Sequence, residues 1–251
     1  MRLVRSITSR ATIATLLVGV GCSSLETNIA SAKQGSAAPK QPKIKTLLLV
    51  GGKIHDWRRI GNVLESAMKA SGKFEVTRVN NDLDAFLADR VAPYDLVVFY
   101  WTLGKLTDAQ KRGILDHVAK GKGFVTCHSG ADSFRGDKDW HKFVGGHFIT
   151  HPAYRKYPVT ITKEKSPITA GITDFETTDE QYILEYEKDL KILATAPWKG
   201  KPMPALWTKS WGKGRVFYHA GGHDARAAKQ PMFLKLFLRG CLWAAGREVT
   251  D

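Results

Sequence analysis

Four apolar runs without polar alternation constrain this chain most: TLLLV at 46–50, YDLVVFY at 94–100, FVTC at 124–127 and RVFYH at 215–219. A strand with one wet face alternates apolar and polar residues, whereas an unbroken apolar run must be covered on both faces. Helical patterns lie between the runs. Residues 59–70, RIGNVLESAMKA, place Ile60, Val63, Leu64, Ala67 and Met68 on one face, and Gly72 stops the helix. Residues 74–79 alternate as a strand, and 83–90 fit a short helix. Thr107 is positioned to cap a helix that ends at Gly121. This βαβαβαβ series predicts a doubly wound, mainly parallel α/β sheet. Further on, residues 157–162, 182–187, 191–196 and 204–209 predict β-hairpin additions, and 231–245 a closing amphipathic helix.

The N-terminus has a different character. Arg2, Arg5 and Arg10 precede an apolar stretch at 11–21 that is too short to span a bilayer, which is the pattern of a secretory signal, here 1–32. Two processing routes stay open. Cys22 after Gly19-Val20-Gly21 resembles a lipoprotein cleavage box, with Gly19 where Leu is usual; Ala30-Ser31-Ala32 offers an ordinary small-x-small site. Both predict export in a bacterium, to the periplasm or as a membrane-anchored lipoprotein. Residues 33–42, KQGSAAPKQP, read as a flexible tether, and 43–249 as one domain. Of the three cysteines, Cys127 and Cys241 fall in strand-like and helix-like runs and are expected as buried free thiols. Part of the formal net charge of +14 lies in the signal and tether, and the other lysines are scattered, which predicts a solvated basic surface and no nucleic-acid partner.

In open parallel sheets, chemistry sits beyond the carboxyl ends of the strands. Here those ends deliver His55 and Asp56, then Trp101, then His128 and Ser129, and finally His219 with Gly221, Gly222, His223 and Asp224. Of the eight histidines, His117 lies mid-helix and is read as a surface residue; His141 is also placed on a helix. The other six, His55, His128, His147, His151, His219 and His223, lie in loops. Convergent neutral imidazoles suit one divalent transition metal, zinc by default. Equally, loop histidines can bind backbone or sugar hydroxyls. HFITH (147–151) would face one way if helical, but its β-branched residues and Pro152 favour a strand end. Asp179 and Glu180 can supply a metal ligand or a general base. Asp56 beside His55 can orient that imidazole. Trp57, Trp101, Trp140 and Trp207 lie near these loops, where flat faces suit sugar rings.

The segments GGKIHDW (51–57), FVTCHSGADSF (124–134), WHKFVGGHFITHP (140–152), SPITAGITDFETTDEQY (166–182), PALWTKSWGKGRVFYHAGGHD (204–224) and GCLWAAGRE (240–248) resemble the ThuA-like, or trehalose-utilisation, family. The resemblance implies a flavodoxin-like fold of the class I glutamine amidotransferase type. In those enzymes a nucleophilic Cys occupies a Cys-x-Gly elbow; the matching triplet here is His128-Ser129-Gly130. Cys127 is one residue early and, by strand alternation, should point into the packing, so amidotransferase chemistry is not expected.

The resemblance further implies carbohydrate metabolism, a disaccharide or 3-keto-glycoside as substrate, and a functional link to a sugar oxidoreductase. Within it, His55, His128 and His223 are the expected metal ligands, with His223 preferred to His219 because Gly222-His223-Asp224 carries the match. His128, Asp179 and Glu180 are the candidate catalytic residues, with Glu180 or Asp179 as base. Trp57, Trp101, His147 and His151 are the candidate substrate contacts. Two other classes compete: a non-catalytic surface carbohydrate-binding protein, and a hydrolase using Cys127. A nucleotide or flavin is not expected, because the turn GGKIHDW lacks the Ser/Thr-rich character of a phosphate cradle.

Overall fold

The computed structural model describes residues 41–251 together with 11–12. The signal segment 1–32, with Cys22, and most of the tether lie outside the described residues. The compact unit begins at Gln41, two residues before the expected boundary, because Arg247 donates to the Gln41 side chain and to the Pro42 carbonyl.

Eleven strands and six helices are described: β1 (Ile44–Gly52), α1 (Trp57–Ala70), β2 (Phe74–Asn80), α2 (Ala88–Val91), β3 (Leu96–Thr102), α3 (Asp108–Ala119), β4 (Gly123–Cys127), α4 (Lys138–Val144), β5 (Gly146–Thr150), β6 (Arg155–Ile161), β7 (Phe175–Asp179), β8 (Ile183–Tyr186), β9 (Lys191–Trp198), β10 (Lys201–Trp211), β11 (Gly214–His219), α5 (Ala225–Ala228) and α6 (Pro231–Ala244). Nine strands form one sheet in the order β2-β1-β3-β4-β11-β10-β9-β6-β7. The first five are parallel, and in chain order they run 2-1-3-4-5, the flavodoxin-like arrangement. The other four extend the sheet antiparallel.

The unbroken apolar runs behave as parallel-sheet physics requires. Leu48, Val50, Val98, Tyr100, Val125, Cys127 and Phe217 pack on α1 and α6, while Leu47, Leu49, Val97, Phe99, Phe124, Val216 and Tyr218 pack on the α3 and α4 side. Neighbouring residues therefore serve opposite layers, and both layers are dry. Thr107 caps α3 in a full capping box with Gln110, as expected. None of the described helices is long and apolar enough to cross a membrane.

Several expectations need correction. Of the four segments expected as hairpin additions, 191–196 and 204–209 do pair, as β9 and β10, while the other two take partners wholly or partly outside that set. β6 pairs with β7 and β9, whereas β8 pairs with β5 in a separate two-stranded sheet. Residues 146–150 and 175–179 are strands that the sequence reading did not assign. His117 is buried, not on the surface: it shares an inward face of α3 with Gly113, Ile114 and Val118. Cys127 and Cys241 are free and buried.

Candidate metal centre

The site grows from four strand ends. β1 stops at Gly52, and the loop that follows carries His55. Its Nδ1 lies 2.7 Å from the hydroxyl of Thr102, the last residue of β3. β1 and β3 flank the point where the strand order reverses, where an open α/β sheet leaves a crevice. Asp56 does not orient His55. It accepts from the Arg59 amide and so caps α1.

β4 ends at Cys127, and a single 3-10 turn over His128–Asp132 follows. His128 has φ +40°, a left-handed conformation that a non-glycine residue holds only when its surroundings enforce it. Three contacts do so here. The Tyr218 hydroxyl donates to the His128 carbonyl, His128 Nδ1 lies 2.9 Å from the Ala220 carbonyl, and Tyr182 packs against the ring, tilted by 33° with centroids 3.7 Å apart. A carbonyl only accepts, so Nδ1 carries the proton and Nε2 presents its lone pair to the site. Gly130 makes the turn feasible, since a Cβ there would lie 1.7 Å from Thr126 Oγ1.

β11 ends at His219, and the chain turns through Gly221 and Gly222 to His223. Gly222 has φ +100°, the left-handed region that favours glycine. Asp179 holds this turn: its carboxylate accepts from the backbone N–H groups of Gly222 (2.6 Å), His223 (3.2 Å) and Glu180 (2.8 Å). Tyr100 donates from beneath to the Gly222 carbonyl. Burial pushes the Asp179 carboxyl up, against the opposing pull of His128 and the three N–H groups. Its oxygens are engaged by these three N–H groups, and 1% of its surface is exposed.

These pieces converge. One ligand atom from each of His55, His128, His223 and Glu180 lies within 4.8 Å of the others. The rings of His55, His128 and His223 are mutually near-perpendicular, at 78–88° with centroids 5.0–5.2 Å apart. Such edge-on imidazoles can aim nitrogens at one point. Glu180 Oε2 lies 3.4 Å from His128 Nε2 and 3.2 Å from His223 Nδ1. Its other oxygen, Oε1, lies 3.1 Å from His151 Nδ1. Burial raises the Glu180 carboxyl, but the neighbouring imidazoles of His128 and His223 outweigh it and hold the group below the usual range. His55 is pushed down to about 3, first by burial and then by its imidazole neighbours, so it stays neutral. His223 is raised by its bond to Glu180 against burial. Three imidazoles and one carboxylate suit zinc or a similar first-row ion, and the lone pair freed on His128 is what a ligand requires.

The remaining candidates separate. His219 faces away: its Nδ1 accepts from the Gly221 N–H, its ring packs on Phe233, and burial pushes it down to about 3. His147 lies in the β5–β8 region, stacked on His141 at 4.3 Å, outside the ligand group. The tryptophans offer no open faces. Trp57 and Trp101 are 8% and 6% exposed, and Trp140 and Trp207 are fully buried. Trp101 shares the parity of Val97 and Phe99 and stacks on the latter, so its ring faces the core. Thr102 and Tyr182 were missed: Thr102 lies two residues beyond the apolar run at 94–100, and Tyr182 lies in the TDEQY segment. Glu180 was expected as base or ligand; the geometry puts it in the ligand group.

The family model described as "Trehalose utilisation", ThuA, matches residues 45–244. The chain belongs to the ThuA family. Membership places it among carbohydrate-utilisation proteins. The fold is similar to the crystal structures of ThuA-like proteins from Parabacteroides merdae (23% identity, TM-score 0.77, covering 84% of this chain and 93% of that one) and Bacteroides uniformis (18%, TM-score 0.69, 83% and 95%). It is also similar to part of the cold-adapted β-galactosidase from Rahnella sp. R3, at 16% identity and TM-score 0.59, over 80% of this chain and 31% of that enzyme. No curated protein matches the sequence at a significant level.

Proposed function

We propose that this ThuA-family protein cleaves a glycosidic bond in a 3-keto-glycoside by elimination followed by hydration, at a divalent-metal centre held by His55, His128, His223 and Glu180. The observation that carries this reading is the convergence of those four ligand atoms within 4.8 Å at the carboxyl edge of the parallel strands. A ketone at C3 acidifies the hydrogen at C2. A bound divalent ion supplies a Lewis acid for such a carbonyl oxygen.

The protein's own groups supply the proton traffic. Glu180 Oε1 faces His151 Nδ1, which therefore carries hydrogen toward the carboxylate and leaves Nε2 free at the half-exposed mouth of the site. That Nε2 is the base that takes the C2 proton. The C1–O bond to the aglycone then breaks, C1=C2 forms, and the departing oxygen is protonated. Water adds its hydroxyl to C1 while a proton returns to C2, so the sum is hydrolysis. No pair of opposed carboxylates is needed. Asp179, fixed by three N–H groups, holds the His223 turn in register.

The test is elemental analysis of the domain 41–251 together with turnover of a 3-keto-glycoside, for the wild type and His128→Ala. About one equivalent of metal and turnover, both lost in the variant, is the expected result. Metal-free wild-type protein that binds but does not cleave sugars would replace this reading with that of a carbohydrate-binding protein. The N-terminal pattern extends the proposal to an exported protein working beside an oxidoreductase that forms the ketone.

A further inference from the structure

Two of the imidazoles outside the metal centre lie together. His141 of α4 and His147 of β5 stack with their planes 11° apart. Parallel rings cannot aim both lone pairs at one ion, so the pair is not a second metal site. It lines a cavity of about 1000 Å³ between the 128–132 turn, α4 and the β5–β8 sheet. Burial, and then His147, hold His141 below the usual imidazole range, so it is neutral and both donates and accepts hydrogen bonds. Glu185 on β8 lies 3.6 Å from His147 Nε2 and is largely exposed to the cavity. Arg135 is held by a two-pronged pair with the buried Asp132, which leaves its remaining guanidinium edge over Phe148.

The cavity adjoins the metal centre. Phe148 on its lining packs on Tyr182 at 4.5 Å and on His151, at the mouth of the site, at 5.8 Å, and Tyr182 lies against His128. Among the described residues, two of the three exposed large hydrophobic side chains, Ile149 (53%) and Tyr186 (40%), lie on this cavity's lining. Four cationic and three acidic side chains line it, so the net field favours no strongly charged ligand. Planar faces, neutral imidazoles, one carboxylate and one fixed guanidinium suit a neutral polyhydroxylated ring, which presents an apolar face and a rim of hydroxyls.

We propose that the cavity between α4 and the β5–β8 sheet binds the sugar ring that does not react, with His141, His147, Glu185 and Arg135 reading its hydroxyls and Phe148 and Tyr186 its face. This rests on the carbohydrate reading above but not on the metal. A volume of this size admits a hexose with its linkage. The proposal makes the cavity the part of the site that sets substrate choice, while the metal centre sets the chemistry.

Unoxidised disaccharides, trehalose and maltose, are the probes, because they can occupy the cavity without reacting. Binding to wild type, His147→Gln, Glu185→Gln, Tyr186→Ala and His128→Ala is measured by titration calorimetry, with metal content and circular dichroism recorded on each. Loss of one hydrogen bond or one stacking face weakens binding about tenfold in the first three variants. Their metal content stays unchanged. His128→Ala loses metal and still binds the sugars measurably, through the cavity. Unchanged affinity in His147→Gln, Glu185→Gln and Tyr186→Ala overturns the proposal, as does the absence of any sugar binding to wild type. Tyr186 is exposed, so its truncation cannot be blamed on unfolding. A protein that binds sugar here but holds no metal would sink the metal reading and leave this one standing.

Discussion

Histidines gather at two places in this molecule, and the two groups differ in one angle. At the strand ends, three rings stand nearly perpendicular around a carboxylate. Beside α4, two rings lie almost parallel. The first arrangement points nitrogens inward to a shared spot; the second turns faces toward each other and edges toward a cavity. Counting histidines in the sequence cannot tell these apart, because the distinction is made by what holds each ring. His128 is turned by the Ala220 carbonyl and Tyr182, His55 by Thr102, and His223 by a loop clamped on Asp179. His141 and His147 lie against each other, and His147 faces Glu185.

The largest expected effect breaks the first group outright. His128→Ala removes a central nitrogen and should leave no stoichiometric metal, whereas His141→Ala should leave metal content at the wild-type level. Thermal unfolding gives a second measure. Metal at about a thousand times its Kd adds roughly 4 kcal/mol, or about 10 °C in Tm for a domain of this size. Chelation should reverse that rise in wild type and in His141→Ala and do nothing to His128→Ala. Metal retained by His128→Ala would mean that the perpendicular rings are not the ligand set.

A smaller effect tests the scaffold of the first group. In Asp179→Asn an NH2 replaces one carboxylate oxygen and confronts a backbone N–H that now has no acceptor. Loss of such a supporting contact typically costs 10–100-fold in metal affinity. The expected result is metal binding weakened by about that factor with the four ligands still present, read by competition with a chromogenic chelator. Affinity equal to wild type would show that Tyr100 and the glycines hold the His223 turn without Asp179.

How much of this could be read beforehand follows from where each residue sits. The parallel half was legible because burial on both faces leaves unbroken apolar runs, and the ends of those runs carry His55, His128 and His223. The antiparallel half was not, because short half-exposed strands such as β5 and β7 have mixed patterns that packing decides. Glu180, already expected as base or ligand, reaches the site from the end of β7, at the far edge of the sheet, a return that only the fold shows. Other misses were avoidable. Trp101 has the parity of Phe99 and Val97, and His117 follows Ile114 and Gly113 at helical spacing; both positions already argued for burial.

His117 and His219 supply a contrast with both groups, since each is buried alone and keeps an Nε2 without a partner. Burial, and then Lys122, push His117 down to about 4, and burial pushes His219 to about 3. An unfolded chain protonates these rings below the ordinary value of 6.5, while the folded protein does not. The unfolded state therefore binds more protons in that window, and stability must fall as pH drops from about 6.5 to about 4. Measured with chelator present, to remove competition between protons and metal, Tm should decline over this range. His117→Gln should flatten the decline. A slope unchanged by that substitution would assign the acid sensitivity to other groups.

The smallest expected effect concerns the adjacent pair Cys127 and His128, which strand alternation sends in opposite directions. Cys127 packs among Val125, Phe217 and the α6 side chains, and burial, with a further push from Asp179, moves its thiol well above the ordinary range. A thiol so placed forms no thiolate at neutral pH and meets no reagent. Iodoacetamide should leave native protein unmodified and should modify Cys127 only after unfolding, read by mass spectrometry. Cys127→Ser should keep metal content and turnover within about twofold while lowering stability by about 1–3 kcal/mol, because a buried hydroxyl needs a partner that the α6 layer does not offer. Rapid native alkylation with loss of turnover would instead move the chemistry one residue back along β4. The perpendicular imidazoles would then be a structural cluster beside a nucleophile.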